Sequence, residues 1–211
     1  MSAHCHDHCT TSTAPTSPRY RRVLWGALLL NAAMFIVEIV GGLQASSVSL
    51  LADAVDFFGD AVNYGISLAV LGLSLQRRAQ AALVKGVSMA AFGVFVLAQA
   101  AWTLRTGTVP EPVTMGVVGA LALATNVSVA AMLYAWREGD ANMRSVWLCS
   151  RNDAIGNLAV MGAALGVFGT GAAWPDLAVA GVMGVLALTA ARSVIAQARA
   201  ELCTAGSMQG G

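Results

Sequence analysis

The chain carries very little charge for its length. This low charge restricts the kinds of protein that the chain can be more than any other feature does. Only 11% of its 211 residues are Asp, Glu, Lys or Arg, whereas 57% are hydrophobic. A soluble domain of this size normally carries about 25% charged residues. Long uncharged runs suit lipid, where a span needs about 20 apolar residues. The alternative, a soluble helical bundle, has no polar face available to cover its exterior.

Other absences exclude further classes of protein. The net charge is only +1, so there is no basic footprint for nucleic acid. No His-Glu-x-x-His motif is present, and neither an enzyme nor a bound cofactor is expected. The first residues are polar, so the first apolar run is predicted to insert as a span rather than to be a cleaved signal. No disulfide framework is indicated by the spacing of the cysteines, which are Cys5, Cys9, Cys149 and Cys203.

A regular series of apolar segments is what the sequence does contain. Six runs are long enough to cross a bilayer: residues 23–43, 48–76, 83–104, 113–136, 144–168 and 175–198. We therefore predict an all-α integral membrane bundle of six transmembrane helices. The predicted organisation is a flexible cytoplasmic arm over residues 1–18, the six-helix transmembrane domain over 19–200, and a short cytoplasmic tail over 201–211.

Basic residues predict the orientation of this bundle. With six spans, nearly all of them fall on one side of the membrane, and only Arg105 falls on the other. The positive-inside rule then places both termini in the cytoplasm, with the chain in the cell (inner) membrane. The basic residues on the predicted inner side include Arg19, Arg21, Arg22, Arg77, Arg78, Lys85, Arg137, Arg144, Arg192 and Arg199.

Three aspartates lie on one face of the second span. Asp53, Asp56 and Asp60 are spaced three and four residues apart, which is one helical face. An ionisable group in a bilayer costs roughly 2.5–3.5 kcal/mol on insertion scales. Three neighbouring carboxylates repel one another unless a cation or protons neutralise them. A cation or proton site is therefore predicted here, although Asp53, near the outer boundary, also fits a protonated structural residue or a secondary site.

The fifth span offers a matching set of polar groups. Cys149 and Asp153 are four residues apart, and Asn157 continues the same face. The second span runs inward and the fifth outward, so Asp56, Asp60, Cys149 and Asp153 are predicted to meet near mid-membrane. Four such ligands in tetrahedral geometry suit zinc. The alternative for Cys149 alone is an inert packing thiol.

Two further groups of residues are secondary candidates. Asn31 and Glu38 share one face of the first span and, with Asn157, are predicted to line a path or to hydrogen-bond between helices. The N-terminal arm packs metal-competent side chains closely enough to capture soft cations, unless they are incidental ligands in a disordered tail. These side chains are His4, Cys5, His6, Asp7, His8 and Cys9.

Over about residues 20–200 the chain resembles the cation diffusion facilitator family. The stretch from Ser46 to Asp60 is similar to the family's second-helix signature, in which Asp or His is followed four residues later by Asp. The sequence Cys149-Ser-Arg-Asn-Asp153 aligns with the fifth-helix motif, usually His-x-x-x-Asp. Supporting similarity, in the first helix and at the start of the sixth, comes from Asn31, Glu38, Gly41, Gly42 and Trp174-Pro175-Asp176.

The resemblance implies export of zinc, or in relatives cadmium, cobalt, iron or manganese, in exchange for protons. It implies metal ligands at Asp56, Asp60, Cys149 and Asp153. The divalent cation is then cargo rather than a cofactor, and protons and the lipid bilayer are the other partners.

Two departures from the family pattern affect these expectations. Cys149 stands where the family usually has His, and a thiolate favours zinc or cadmium over manganese or magnesium. The sixth span is followed by only a few residues, so the family's cytoplasmic C-terminal domain is expected to be absent. A homodimer is then expected to be held by the transmembrane helices.

Two alternatives other than an enzyme remain open from the sequence. A proton-coupled exporter of small molecules would explain the aspartates of the second span but not the fifth-span pairing or the arm. A membrane metal sensor or partner subunit that does not transport would explain the metal-competent residues without flux. Metal-resistance and dye-efflux assays separate the first alternative from metal export, and flux in reconstituted vesicles separates the second.

Overall fold

A computed structural model describes the backbone of residues 18–69, 75–136 and 141–209. Within these ranges the side chains of residues 75, 78, 136, 141–149 and 204–209 lie outside the description. The described chain forms six long helices, and a 3-10 turn at Tyr134–Trp136 follows the fourth. The helices are α1 (Pro18–Ala45), α2 (Val48–Ala69), α3 (Leu75–Thr106), α4 (Pro112–Leu133), α5 (Ala141–Thr170) and α6 (Trp174–Gln209).

The predicted all-α membrane bundle of six helices is confirmed. Within the described ranges, five helices are long and apolar enough to cross a membrane, namely α1, α3, α4, α5 and α6. The other helix, α2, has 22 residues, which corresponds to about 33 Å, close to the thickness of a hydrocarbon core. Its three aspartates lower its hydropathy, and its place in the bundle explains how they are accommodated.

The helix α2 lies at the centre of the bundle. Helices α1, α2, α4 and α5 pack as one group, while α3 packs along α6 in the most extensive helix contact of the described chain. α2 contacts all five other helices and contributes side chains to all three apolar clusters. Residues 48–55 are all buried. Because protein rather than lipid surrounds this helix, polar groups of its neighbours can meet its acids.

Apolar side chains cover the outside of the bundle. Leu29 on α1, Leu104 on α3 and Phe168 on α5 are 62%, 75% and 74% exposed. Similar exposed Val, Leu and Ile side chains occur on all the helices except α2. A helix that is apolar on its outer face and still packed on its inner face is typical of a membrane span. This apolar exterior therefore disfavours the soluble helical bundle, which was the alternative interpretation of the sequence composition.

Glycines allow α3 and α6 to approach closely. A Cβ atom at Gly86 would lie 2.7 Å from Ile195 Cγ1 and 3.3 Å from the Ile195 backbone nitrogen. On the opposing helix, a Cβ at Gly184 would lie 2.9 Å from Leu97 Cδ2. Small residues let membrane helices pack through van der Waals contact where no hydrophobic driving force acts between them. α3 and α6 therefore form a tightly packed pair beside the four-helix group.

A buried carboxylate joins the start of α6 to the start of α2. Asp176 Oδ1 accepts hydrogen bonds from Ser47 Oγ (2.7 Å), Ser49 Oγ (2.6 Å) and the Ser49 backbone nitrogen (3.1 Å). Its Oδ2 accepts from the Val48 backbone nitrogen at 2.8 Å. The first N–H groups of a helix have no partner within the helix, and a carboxylate there also complements the helix dipole. Asp176 therefore caps α2 from α6.

The connection between α3 and α4 lies at the same end of the bundle. Gly107, with φ of +69°, reverses the chain after α3, a conformation that glycine adopts without strain. The Glu111 backbone nitrogen donates to Ala45 O at 2.8 Å, which ties this loop to the end of α1. The Glu111 carboxylate caps α4. It accepts hydrogen bonds from the Thr114 side chain, the Thr114 backbone and the Val113 backbone, and these bonds lower the pKa of the carboxyl.

The predicted position of Lys85 between the second and third spans was wrong. We expected the second apolar run to extend to residue 76 and Lys85 to lie between the spans. Instead Lys85 is a buried residue within α3, while residues 70–74, between the described parts of α2 and α3, lie outside the description. Lys85 therefore faces the bundle rather than a cytoplasmic loop.

Candidate metal centre

The three aspartates of α2 differ in burial although they share one helical face. Asp53 and Asp60 are 1% and 7% exposed, and Asp56 between them is partly buried. Asp53 lies in the half of α2 that is capped by Asp176, whereas Asp60 lies further along, towards the opposite end. Their side chains therefore meet different neighbours, and two polar regions form along α2.

Asp60 is the centre of the first region, where α2 meets α5. Tyr64 Oη donates to Asp60 Oδ2 at 3.0 Å and lies 2.8 Å from Ser150 Oγ on α5. Because the Tyr64 proton is directed at Asp60, the Ser150 hydroxyl donates to Tyr64. The Asp153 carboxyl, also on α5, lies close enough to Asp60 for the two side chains to interact. The structure thus brings the buried Asp60 and the partly buried Asp153 together.

Two carboxyl groups in contact constrain what else occupies this place. Both cannot carry a negative charge in a buried environment unless a cation lies between them or they share a proton. Carboxylate oxygens bind zinc at about 2.0–2.2 Å and suit several other divalent cations. The Asp60–Asp153 pair is therefore chemically able to exchange a metal ion for protons.

A lysine of α3 completes the polar surroundings of Asp60. Lys85 is 3% exposed, its ammonium group donates to Asn63 Oδ1 on α2, and its charge acts on the Asp60 carboxyl. The lysine stem passes Gly59, where a Cβ atom would lie 3.9 Å from Lys85 Cε. The region thus contains a fixed positive charge as well as two acids.

The second polar region lies between α1 and α2. Glu38 is fully buried, and the charges of Asp53 and Asp56 act on its carboxyl. Among the described residues, neither oxygen of Glu38 nor Oδ2 of Asp53 has a hydrogen-bond partner in good geometry. A buried polar group without a partner costs roughly 1–3 kcal/mol, and such groups concentrate where function requires them. Asp53 and Glu38, two of the predicted secondary residues, are therefore neighbours.

Buried amide side chains of α1, α4 and α5 also have polar atoms without hydrogen-bond partners among the described residues. Asn31, Asn126 and Asn157 are all buried. The Asn31 amide nitrogen donates to Ala27 O at 2.8 Å, but Asn31 Oδ1, Asn126 Oδ1 and both polar atoms of the Asn157 amide have no partner within the described chain. Asn31 and Asn157, which we predicted as path-lining residues, thus present unsatisfied groups inside the bundle. Their role stays a prediction.

Other predicted site residues lie outside the description. The backbone of Cys149 belongs to α5, one residue before Ser150, but its side chain is outside the described part of the structure. The arm residues His4, Cys5, His6, Asp7, His8 and Cys9 are outside it altogether. In the side chains that are described, no three His, Cys, Asp or Glu residues are grouped closely enough to hold a metal ion. The four-ligand set of Asp56, Asp60, Cys149 and Asp153 therefore stays a prediction.

Sequence reasoning missed the residues that surround Asp60. Tyr64 follows Asp60 by four residues and Ser150 precedes Asp153 by three, so helical spacing could have placed both on the site face. Lys85 was misassigned because it follows Arg77 and Arg78 and looked like part of the same basic loop. Asn63 gave no signal, since a single amide at a helix surface is common.

Comparison with known proteins is consistent with this arrangement. The sequence of residues 24–203 matches the family described as the cation efflux transmembrane domain. The chain is 26% identical over 199 residues to the metal cation efflux system protein CzcD of Cupriavidus metallidurans, covering 89% of this chain and 60% of that protein. It is 31% identical over 181 residues to the zinc transporter ZitB of Escherichia coli, covering 79% of this chain and 51% of that protein.

A third relative has a broader named range of metals. The chain is 24% identical over 203 residues to the cadmium, cobalt and zinc/H(+)-K(+) antiporter of Bacillus velezensis, covering 88% of this chain and 61% of that protein. The alignments thus span about half to three-fifths of the length of these relatives. The family match covers most of the chain, from α1 to α6. The chain therefore belongs to the cation efflux transmembrane domain family, as its resemblance to the cation diffusion facilitators predicted.

Proposed function

We propose that this chain exports divalent transition-metal cations, zinc foremost and cadmium or cobalt as alternatives, from the cytoplasm in exchange for protons. The observation that carries the proposal is the close approach of Asp60 on α2, which is buried, and Asp153 on α5, which is partly buried. Two acids from different helices in a membrane bundle offer a divalent ion a desolvated place with matching charge. The names of the relatives, a zinc transporter and a cadmium, cobalt and zinc antiporter, support this choice of cargo.

The proposed ligands are Asp56, Asp60, Cys149 and Asp153. The position of Cys149 on α5, four residues before Asp153, supports its inclusion, because residues four apart share one face of a helix. Asp56 precedes Asp60 by one helical turn, so the two carboxylates lie on the same face of α2. Carboxylates and thiols must lose their protons to bind metal, so metal and protons compete for the same atoms.

This competition gives the exchange its direction. Metal from the cytoplasm, gathered by the N-terminal arm, displaces protons from the four ligands. When the site opens to the other side, protons return and release the metal. The protonated site then favours the inward-open form, so an inward proton gradient drives metal outward. The proposed working form is a homodimer in the cell membrane, held through the transmembrane helices, with both termini in the cytoplasm.

Flux in reconstituted vesicles tests the proposal directly. Vesicles with an acidic interior and a trapped zinc-sensitive dye should accumulate zinc through the protein, and collapse of the pH gradient by a protonophore should stop the accumulation. Protein-free vesicles and uptake of a cationic organic dye are the controls. Zinc binding without flux would favour the sensor alternative, and dye transport without metal transport would favour the small-molecule exporter. Metal flux that does not depend on the pH gradient would show that the protein does not exchange metal for protons.

Replacement of Cys149 by His tests the contribution of sulfur to metal choice. Cys149→His should keep transport but lower the cadmium-to-zinc ratio several-fold, because imidazole is a harder ligand than thiolate. The ratio is measured in the same vesicles with each metal at equal concentration. Cys203→Ser is the matched control, since Cys203 is an exposed free thiol on α6. An unchanged ratio in Cys149→His would show that the thiol does not contact the metal.

A further inference from the structure

Lys85 is an unusual residue in the interior of this bundle. It is 3% exposed, in the first half of the apolar helix α3. A lysine near a membrane helix end normally extends its ammonium group towards the water. Here the ammonium group instead faces inward and donates to Asn63 Oδ1 on α2. A buried ammonium is costly without partners of opposite charge, so its position demands an explanation.

The surroundings of Lys85 are shaped to admit it. Gly59 on α2 leaves room for its stem, because a Cβ atom there would lie 3.9 Å from Lys85 Cε and 3.6 Å from Met89 Cε. Asn63, one helical turn beyond Gly59, holds the ammonium group on the side of α2 that carries Asp60. The Lys85 charge acts on the Asp60 carboxyl, and Asp153 in turn interacts with Asp60.

We propose that Lys85 is a tethered cation that helps to balance the Asp60–Asp153 pair when no metal is bound, and that an incoming divalent ion must displace its ammonium group from beside Asp60. This inference rests on the proposed function, because it assumes that the metal binds Asp60. A +2 ion and an ammonium group repel each other at contact distance in a buried environment. They therefore compete for Asp60, and Lys85 sets both the affinity for the metal and the readiness of its release.

The position of Lys85 also connects metal occupancy to helix packing. α3 is paired tightly with α6, and this pair meets the four-helix group mainly through α2, with α5 reaching α6. The Lys85 contact with Asn63 is a polar link across that boundary. Displacement of the ammonium group by metal removes attraction between α2 and α3. Metal binding thereby loosens the α3–α6 pair from α2, which is the kind of discrete change that alternating access requires.

Charge-neutral substitutions of Lys85 test the proposal by metal affinity. Lys85→Met should bind zinc about tenfold more tightly than the wild type, since the competing charge is gone. Zinc binding to the purified full chain is measured by calorimetry, and flux is measured in vesicles. Flux by Lys85→Met should show a lower KM together with a lower kcat, because the metal is held longer before release. Lys85→Arg, which keeps the charge, should resemble the wild type in both measurements.

Several controls separate this inference from the proposed function. Arg77→Met removes a positive charge from an exposed position on the same helix and should leave binding unchanged. Asp60→Asn reports any zinc bound elsewhere, such as on the arm. Absence of Asp60-dependent binding in the wild type would overturn the metal site itself. Normal Asp60-dependent binding with unchanged or weaker affinity in Lys85→Met would overturn only the tethered-cation role.

A second neutral variant covers the case in which Lys85→Met does not fold. Lys85→Gln keeps a hydrogen-bond donor for Asn63 but carries no charge, and it should also bind zinc more tightly. If both neutral variants fail to fold while Lys85→Arg folds normally, the proposal is overturned as well. Lys85 would then be a structural counter-ion that metal binding cannot displace.

Discussion

Asp60→Asn should lower metal transport by more than about a hundredfold, while the protein still folds and inserts. Loss of a residue that only supports a ligand already costs roughly 10–100-fold in affinity, and Asp60 is proposed as a ligand itself. The amide has nearly the shape of the carboxylate and can still accept from Tyr64, so packing in this 7% exposed position is preserved. The charge that attracts the metal is lost. Zinc flux in vesicles, normalised to reconstituted protein, measures the effect.

Two other substitutions are compared with Asp60→Asn, one expected to have a similar effect and one expected to have little effect. Asp153→Asn should have a comparable effect, because it removes the other half of the contact between α2 and α5. Glu111→Gln removes an exposed acid at the start of α4 and should leave transport near the wild-type level. Zinc flux by Asp60→Asn at close to the wild-type rate would exclude Asp60 from metal binding and would leave the buried pair without its proposed role.

The prediction of the fold from sequence succeeded where the pattern was local. Each apolar run is long enough to act as its own signal, so the six helices and their order followed from length and composition. The shared face of Asp53, Asp56 and Asp60 also followed, because helical spacing is fixed. The split of that face into an Asp60 region and a Glu38–Asp53 region did not follow, since it depends on which neighbouring helix covers each turn of α2.

Features that depend on distant residues were not predictable from the sequence. The inward direction of Lys85 depends on the space left by Gly59 on another helix. The bond between Asp176 and Ser47 joins residues 129 positions apart, and no sequence period relates them. Tertiary packing, rather than propensity, determines each of these.

Asp176→Ala should destabilise the protein by about 3–5 kcal/mol, the usual cost of removing one partner from a buried charged network. The substitution leaves two serine hydroxyls and two backbone N–H groups at the start of α2 without their acceptor. Each of these groups is buried, and none can be met by lipid. Asp176 itself is fully buried, so water does not easily replace the lost carboxylate. The free energy of unfolding in mixed detergent micelles, followed by helix content, measures the loss.

Graded variants separate the cap from a general effect of changing α6. Ser49→Ala removes one hydroxyl donor and should cost about 1 kcal/mol. Glu201→Ala removes another acid of α6, which accepts a hydrogen bond from Gln197 one turn away, and should change stability by less than about 0.5 kcal/mol. An Asp176→Ala protein as stable as the wild type would mean that the start of α2 is held by packing alone. The predicted loss would instead mean that one carboxylate on α6 fixes the end of α2, and with it the positions of the acids proposed to carry metal.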